Sequence, residues 1–292
     1  VMQEAYRLAY IRKPEFMGNT RTEEKDPKFK VISDLPWCEQ EINERLAAYR
    51  QLSDKVEQEW HALPAQKKET YFQLVKYPVQ AAAQMNNKLL TAQLARHGKA
   101  DWADSDRAYD SIVSLTKTYN TTKWNRMMDF QPRRLLVFNR VERKALSSGL
   151  LEKPQAVYTW NGADCVEGAS VICEGLGYEG KAVAVEKKKE LTFEFAAWET
   201  DSVEVEVRLL PNHPVEGERL RFTISLDGSA TEAVSYETKG RSEEWKENVL
   251  CNQAVRRMIL PVARKASHRL IFTALDEGVV LDQICLYMPR IK

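Results

Sequence analysis

The sequence has 292 residues, with 43 basic against 42 acidic side chains and a formal net charge of +1. That length holds two ordinary domains, each able to bury its own core, and the balanced charge gives no general drive toward nucleic acid or an anionic membrane. No apolar run approaches the roughly 20 residues that span a bilayer, so no membrane partner is expected either.

Residues 2–11 have the pattern of a helix end, stopped by Pro14 and Gly18. The opening Val1-Met2-Gln3-Glu4-Ala5-Tyr6 reads as the middle of a helix, not as a signal peptide, and implies further sequence upstream. Asn19 to Lys30 is charged and poor in apolar residues, the composition of a linker. Asp34 and Pro36 give a helix start signal. Behind them Ile42, Leu46, Tyr49, Ser53, Val56, Trp60 and Leu63 advance in alternating steps of four and three, which predicts one stripe along a long amphipathic helix.

Leu63-Pro64 ends that helix and starts another, predicted from about Gln66 to His97 and closed by Gly98. Its apolar face is broad. Phe72, Val75, Val79, Ala82 and Leu89 form one edge, with Leu74, Ala81 and Met85 beside it, so this helix is expected at the bundle centre. Pro78 removes a backbone donor inside it and predicts a kink. Asn86 lies on the apolar stripe and needs a partner there, which points to a hydrogen bond that specifies the bundle. Asp101-Trp102-Ala103-Asp104 resembles a capping box opening a third helix, with Trp102, Tyr109, Ile112, Thr116 and Tyr119 inward. Short loops between these helices favour an antiparallel, up-down bundle.

Residues 130–156 lack a period and contain Pro132 and Pro154, so they read as a connector. Beyond it the apolar residues alternate at strand spacing. Leu191, Phe193 and Phe195 alternate with polar residues, as do Val203, Val205 and Val207, and then Leu220, Phe222, Ile224 and Leu226 before the turn Asp227-Gly228. Val255–Val262, Leu270–Leu275 and Val279–Met288 supply further strands. About eight strands without crossover helices predict an antiparallel, jelly-roll-like sandwich. The fold class is therefore α+β multidomain: an antiparallel helical bundle (36–138) after a terminal helix (1–18) and a linker (19–35), then a connector (139–156) and a β-sandwich (157–292).

The motifs exclude more than they assign. There is no GxSxG, Walker loop, Rossmann fingerprint or HExxH. Gly175-Leu176-Gly177-Tyr178-Glu179-Gly180 spells GxGxxG, but it precedes a strand, whereas a dinucleotide loop follows a strand and opens a helix. Cys38, Cys165, Cys173, Cys251 and Cys285 are scattered, form no CxxC pair and, with four histidines, give no zinc-ligand spacing. Buried free thiols are the leading reading, with a Cys165–Cys173 bridge as the alternative. No metal or cofactor is assigned, and the acidic pair Asp276-Glu277 fits a turn as well as a calcium ligand. The runs Arg133-Arg134 and Lys187-Lys188-Lys189 read as solvated surface, the second as a hairpin turn. Glu204 and Glu206 share the outward face of one strand and are expected to face water.

The aromatic residues offer a binding chemistry. Trp160, Trp198 and Trp245 fall near predicted strand ends or loops, and Tyr236 near a loop. Sugar rings present apolar C–H faces that pack on exposed rings, so Trp245 and Tyr236 are the candidate glycan contacts. The competing reading is that such residues cover the ends of the sandwich core.

Several stretches together resemble glycoside hydrolase family 115. Tyr71-Phe72-Gln73-Leu74-Val75-Lys76-Tyr77-Pro78-Val79, with Ala81 to Asn87 behind it, is similar to that family's helical domain, and Lys123-Trp124-Asn125-Arg126-Met127-Met128-Asp129 to the segment that closes it. Leu210-Pro211-Asn212-His213-Pro214, Ser225-Leu226-Asp227-Gly228 and Asp276 to Asp282 are similar to its C-terminal sandwich. After Asp129 the sequence departs: Phe130-Gln131-Pro132-Arg133-Arg134 stands where many relatives carry an aromatic stretch like Thr-His-Ile-Gly-Tyr.

The resemblance implies a xylan α-1,2-glucuronidase whose catalytic carboxylates lie in an upstream barrel, so no catalytic residue is assigned in this chain. Residues 1–18 would be the last helix of that barrel. It also implies a xylan-type glycan as substrate, a homodimer, a periplasmic or secreted location, and non-catalytic roles for the bundle and sandwich in subunit contact and in shaping the cleft. The alternatives are a free-standing carbohydrate-binding protein and a purely structural interaction module.

Overall fold

A computed structural model describes residues 1–21, 24–129, 135–146, 149–168 and 171–289. Arg133-Arg134 and the divergent Phe130–Arg134 stretch lie outside the described residues. The chain forms two compact units, residues 1–153 and 154–292.

The first unit is helical. Helix α1 (Met2–Ile11) buries Leu8 against Tyr49, Leu52, Val56, Val79 and Ala83. Helix α2 (Glu39–Ala62) begins at Cys38, whose backbone N–H is capped by the Glu41 carboxylate at 2.8 Å. Its buried stripe is Ile42, Arg45, Tyr49, Leu52 and Val56. Of the predicted stripe, Leu46 is half-buried against the core, while Ser53 yields to Leu52, and Arg45, which the stripe did not include, is buried. Arg45 is inside because its long side chain delivers the guanidinium to the Asn86 Oδ1 (2.7 Å) and the Arg12 carbonyl (2.8 Å).

The second predicted helix is continuous from Ala65 to Arg96 but has three parts: α3 (Ala65–Tyr71), a π-helical turn (Phe72–Lys76) and α4 (Tyr77–Arg96). Pro78 lacks the N–H that an unbroken α-helix would direct at the Leu74 carbonyl. The chain answers by widening the preceding turn, with the Tyr77 N–H bonded to the Phe72 carbonyl five residues back. The added residue shifts the phase. Phe72 remains buried, while Leu74, expected on the inner face, is 60% exposed.

Every residue from Lys88 to Arg96 is buried, which places α4 at the centre of the unit. Its buried polar side chains all have partners. Asn86 accepts from Arg45 and donates to the Ala82 carbonyl at 2.8 Å. The Gln93 amide pairs with both backbone groups of Leu35, at 3.0 and 2.9 Å. Arg96 and His97 share the Asp34 carboxylate, at 2.6 Å each. Residues 34–35, read as linker from sequence, are thus fastened to α4, and Leu35 itself joins the core. Helix α5 (Trp102–Asn120) starts where Asp101 caps the Ala103 N–H, and it buries Ser105, Ala108, Ile112, Thr116 and Tyr119, with Trp102 and Tyr109 half-buried at its margins.

Past the helices, Val137 and Val141 are buried in the same core as Leu35 and Leu90. The Lys88 ammonium, itself fully buried, donates to the Val137 (2.5 Å) and Asn139 (2.8 Å) carbonyls. Arg140 reaches Asp106 and Asp110, and Arg143 reaches Asp106. Residues 135–146 are therefore a strap bound to the bundle.

The second unit is a two-sheet antiparallel sandwich. Its strands are β1 (Tyr158–Asn161), β2 (Val171–Glu174), β3 (Lys181–Val185), β4 (Glu190–Ala196), β5 (Ser202–Leu209), β6 (Arg221–Leu226), β7 (Ser229–Ala230), β8 (Val234–Ser235), β9 (Ala254–Pro261), β10 (Ser267–Ala274) and β11 (Val279–Tyr287). One sheet runs β2-β3-β11-β5-β9, with β1 also on β11; the other runs β4-β10-β6-β7, with β8 also on β6. The alternating residues read from sequence form the core between them: Val203, Val205, Val207 and Leu209 from one sheet meet Leu191, Phe193, Phe195, Phe222, Ile224 and Phe272 from the other. Asp227 (φ 51°) and Gly228 (φ 93°) make the predicted two-residue hairpin between β6 and β7.

Two expectations fail here. Lys187-Lys188-Lys189 is exposed, with Lys188 at φ 64°, but it joins β3 to β4, which lie in different sheets, so it is an inter-sheet turn and not a hairpin. The sandwich also contains a helix, α6 (Glu243–Cys251), capped by Ser242 and ended by Asn252 in the left-handed region. Ser242 followed by two glutamates was the available sequence signal. All five cysteines are free; Cys285 is buried and the others half-buried.

Candidate functional site

The aromatic residues predicted for glycan contact occupy unlike places. Tyr236 is 2% exposed, its ring 6.3 Å from Phe222 in the sandwich core, and burial pushes its hydroxyl pKa upward. It has no open ring face for a sugar, because it lies two residues beyond Val234, the β8 partner of Phe222, and shares the inward face. Trp245 is half-buried in the first turn of α6, not in a loop, with its backbone N–H donated to the Ser242 hydroxyl, the helix cap, at 3.1 Å. Trp198 is buried and donates to the Ser202 carbonyl at 2.9 Å; Trp160 stacks on Tyr158 at 5.3 Å and packs on the core. For these two, the core-covering reading holds.

Glu204 and Glu206 do share an outward face, but Glu206 does not face water. It is 3% exposed and accepts from Arg208 (2.7 Å) on its own strand and Arg257 (2.7 Å) on β9. Burial works to raise its pKa, and the Arg208 and Arg257 guanidiniums outweigh that, holding the carboxyl below its usual range. The network continues from Arg208 to Gln283 (2.8 Å), from Gln283 to Asn161 (3.1 Å), and from Asn161 to Asp164 (2.9 Å) and Glu179 (3.0 Å). It crosses β9, β5, β11 and β1. With both oxygens engaged by guanidiniums, Glu206 is built to lock strands together, not to exchange protons. Asp276 is similarly committed, in a bidentate pair with Arg221 at 2.8 and 2.9 Å, and Glu277 accepts from the Lys187 N–H.

The GxGxxG string has a structural explanation. Gly175, Gly177 and Gly180 all have positive φ, and they fold the chain between β2 and β3 onto the Asp282 carboxylate. A Cβ on Gly177 would lie 2.4 Å from Asp282 Oδ1. The Tyr178 N–H donates to both Asp282 oxygens, at 3.0 and 3.1 Å, and the Gln253 amide donates to Oδ2 at 2.9 Å. Burial pushes the Asp282 carboxyl up against these donors. Asp282 is 1% exposed, and nothing in the β11 alternation marks it, since the register slips by one residue between Leu281 and Gln283. Among the described residues, no three His, Cys, Asp or Glu side chains converge as a metal site, and no helix is long and apolar enough to cross a membrane.

A helical bundle followed by a two-sheet antiparallel sandwich with loop-borne polar clusters defines a two-unit protein of the α+β multidomain class. Residues 169–292 match the glycosyl hydrolase family 115 C-terminal domain. Over 99% of its length the chain is 62% identical, with a TM-score of 0.96, to the structure of BtGH115A, described as a family GH115 4-O-methyl-alpha-glucuronidase with specificity for decorated arabinogalactans. The chain spans 38% of that relative's length. This chain carries the C-terminal region of glycoside hydrolase family 115.

Two further structures align with under half of the chain. A family 35 carbohydrate-binding module from an environmental isolate is 10% identical over 45% of this chain and 93% of its own, with a TM-score of 0.36. A module from Cellvibrio mixtus lichenase 5A in complex with cellotriose is 13% identical over 47% of this chain and 100% of its own, with a TM-score of 0.34. At those scores neither bears on function. No curated protein sequence matches the chain.

Proposed function

We propose that this chain is the non-catalytic C-terminal portion of a 4-O-methyl-α-glucuronidase acting on decorated arabinogalactan. The observation that carries this reading is the 62% identity to BtGH115A across both units. It favours arabinogalactan over the glucuronoxylan expected from the family resemblance. In this reading the bundle and sandwich buttress a catalytic part, and the hydrolytic carboxylates belong to that part. The test is release of 4-O-methylglucuronic acid from arabinogalactan and from glucuronoxylan by the full-length protein carrying this chain. Release from arabinogalactan is expected to be faster; release from glucuronoxylan alone would reverse the substrate assignment, and release from neither would remove the glycosidase reading.

We also propose that the full-length protein is a homodimer, a reading that rests on the family resemblance; the exposed apolar side chains of Tyr6, Leu74 and Met127 on the helical unit are compatible with such a contact. Light scattering on the full-length protein tests this, with a monomer at micromolar concentration overturning it.

A further inference from the structure

Tyr178 is 38% exposed and Leu176 41% exposed on the glycine loop between β2 and β3. The backbone beneath them is unusually fixed. Three glycines hold left-handed φ angles, and the Tyr178 N–H is bonded to both oxygens of a carboxylate that is 1% exposed. The hydrogen-bond donors to that carboxylate, the Tyr178 N–H and the Gln253 amide, are uncharged, so burying it is costly. A loop needing only to close a turn does not require such an anchor, since the glycines alone permit the turn. What the anchor adds is a fixed position for Tyr178. Next to Tyr178 in the chain, Glu179 joins Asp164 on the Asn161 amide, at 3.0 and 2.9 Å. An exposed aromatic ring on an anchored loop that also carries a carboxylate bonded to an amide is the kind of chemistry that recognises a neutral sugar ring.

We infer that the Gly175–Gly180 loop is a saccharide-binding site in which the Tyr178 ring packs on a sugar face, Glu179 and Asp164 accept from its hydroxyls, and Asp282 is the positioning residue. The choice of sugar, a neutral backbone residue of arabinogalactan, rests on the proposed glycosidase reading; the site itself does not.

The test is affinity electrophoresis of the 292-residue chain in gels with no polysaccharide, with arabinogalactan and with glucuronoxylan, alongside Tyr178→Ala, Tyr178→Trp and Trp245→Ala. Retardation by arabinogalactan is expected for the wild type, Tyr178→Trp and Trp245→Ala. Removing the ring in Tyr178→Ala is expected to weaken binding about tenfold or more, as for aromatic anchors covered on binding, with an unchanged melting temperature. Equal retardation of Tyr178→Ala and wild type overturns the site, as does retardation in neither polysaccharide gel, the outcome for a protein-contact loop. Loss with Trp245→Ala but not Tyr178→Ala moves binding to α6 and also overturns it. Because release of 4-O-methylglucuronic acid is measured separately on the full-length protein, failure here leaves the glycosidase reading untouched.

Discussion

Replacing Lys88 by methionine tests the clearest electrostatic consequence of this fold. The Lys88 Nζ is wholly buried, donates to the Val137 and Asn139 carbonyls, and has its pKa lowered by burial to about 7. In the unfolded chain the same amine titrates near 10.4. Between those values the unfolded chain holds a proton that the folded chain has released, so stability rises with pH across that window. Below about pH 7 both states are protonated and the full penalty of the buried charge is present. At about 1.4 kcal/mol per pH unit, raising the pH from 7 to 9.5 stabilises the helical unit by roughly 3 kcal/mol.

In Lys88→Met this slope disappears. At pH 9.5 the variant should be the less stable protein by about 2 kcal/mol, since two buried carbonyls lose their donor. At pH 6.5 the gap should close or invert, because the buried charge is gone. Urea unfolding followed by circular dichroism at 222 nm, at pH 6.5, 8.0 and 9.5, measures both effects. Identical pH slopes for wild type and variant would refute the reasoning and mean that Lys88 stays protonated throughout.

Glu206→Ala removes the carboxylate shared by Arg208 and Arg257, leaving only Glu204 at 4.0 Å from Arg257, and should destabilise the sandwich by roughly 3–5 kcal/mol, read as a lowered urea midpoint. Because the folded Glu206 carboxyl is held below its unfolded value, its contribution is present above about pH 4.3 and is lost as pH falls through the folded value; Glu206→Gln should remove that part of the acid sensitivity. Gly177→Ala, at φ 91° with the new Cβ against Asp282, should cost more than the roughly 1–3 kcal/mol of backbone strain alone, whereas Gly175→Ala, with open space around it, should cost only the strain; thermal melting of the two separates these. In the π turn, Leu74→Gln should change stability by less than about 0.5 kcal/mol, while Phe72→Ala costs roughly 3–5 kcal/mol; equal effects would mean that Leu74 is the buried residue after all.

The candidate sites were less legible than the fold, and the reason lies in where each signal resides. Tyr236 and Trp245 were selected by residue type and distance from predicted strands. That criterion cannot separate a ring over the core end from one offered to solvent, and Tyr236 is the former. Tyr178 is visible in the sequence only inside the GxGxxG string, which the position of the following strand argues against as a dinucleotide loop. Its anchor, Asp282, comes from a strand 104 residues later, and no local pattern links the two.

What the sequence determined by itself is the division into a helical and a β unit, the inner faces of most strands, the caps at Asp101 and the turn at Asp227-Gly228. These follow from period and from residues with restricted backbone freedom, both of which are local. Only the tertiary structure decided the rest. Arg45 and Lys88 lie inside because partners from distant segments, Asn86 in one case and the Val137 and Asn139 carbonyls in the other, satisfy them. Leu74 lies outside because a π turn absorbed Pro78. Glu206 is buried because arginines on two strands meet at its oxygens. In each case a polar group or a backbone irregularity overrode the hydropathy pattern. The physical reason is the same throughout: buried charges and amides are tolerated where their hydrogen bonds close, and which bonds can close depends on contacts between residues far apart in the chain.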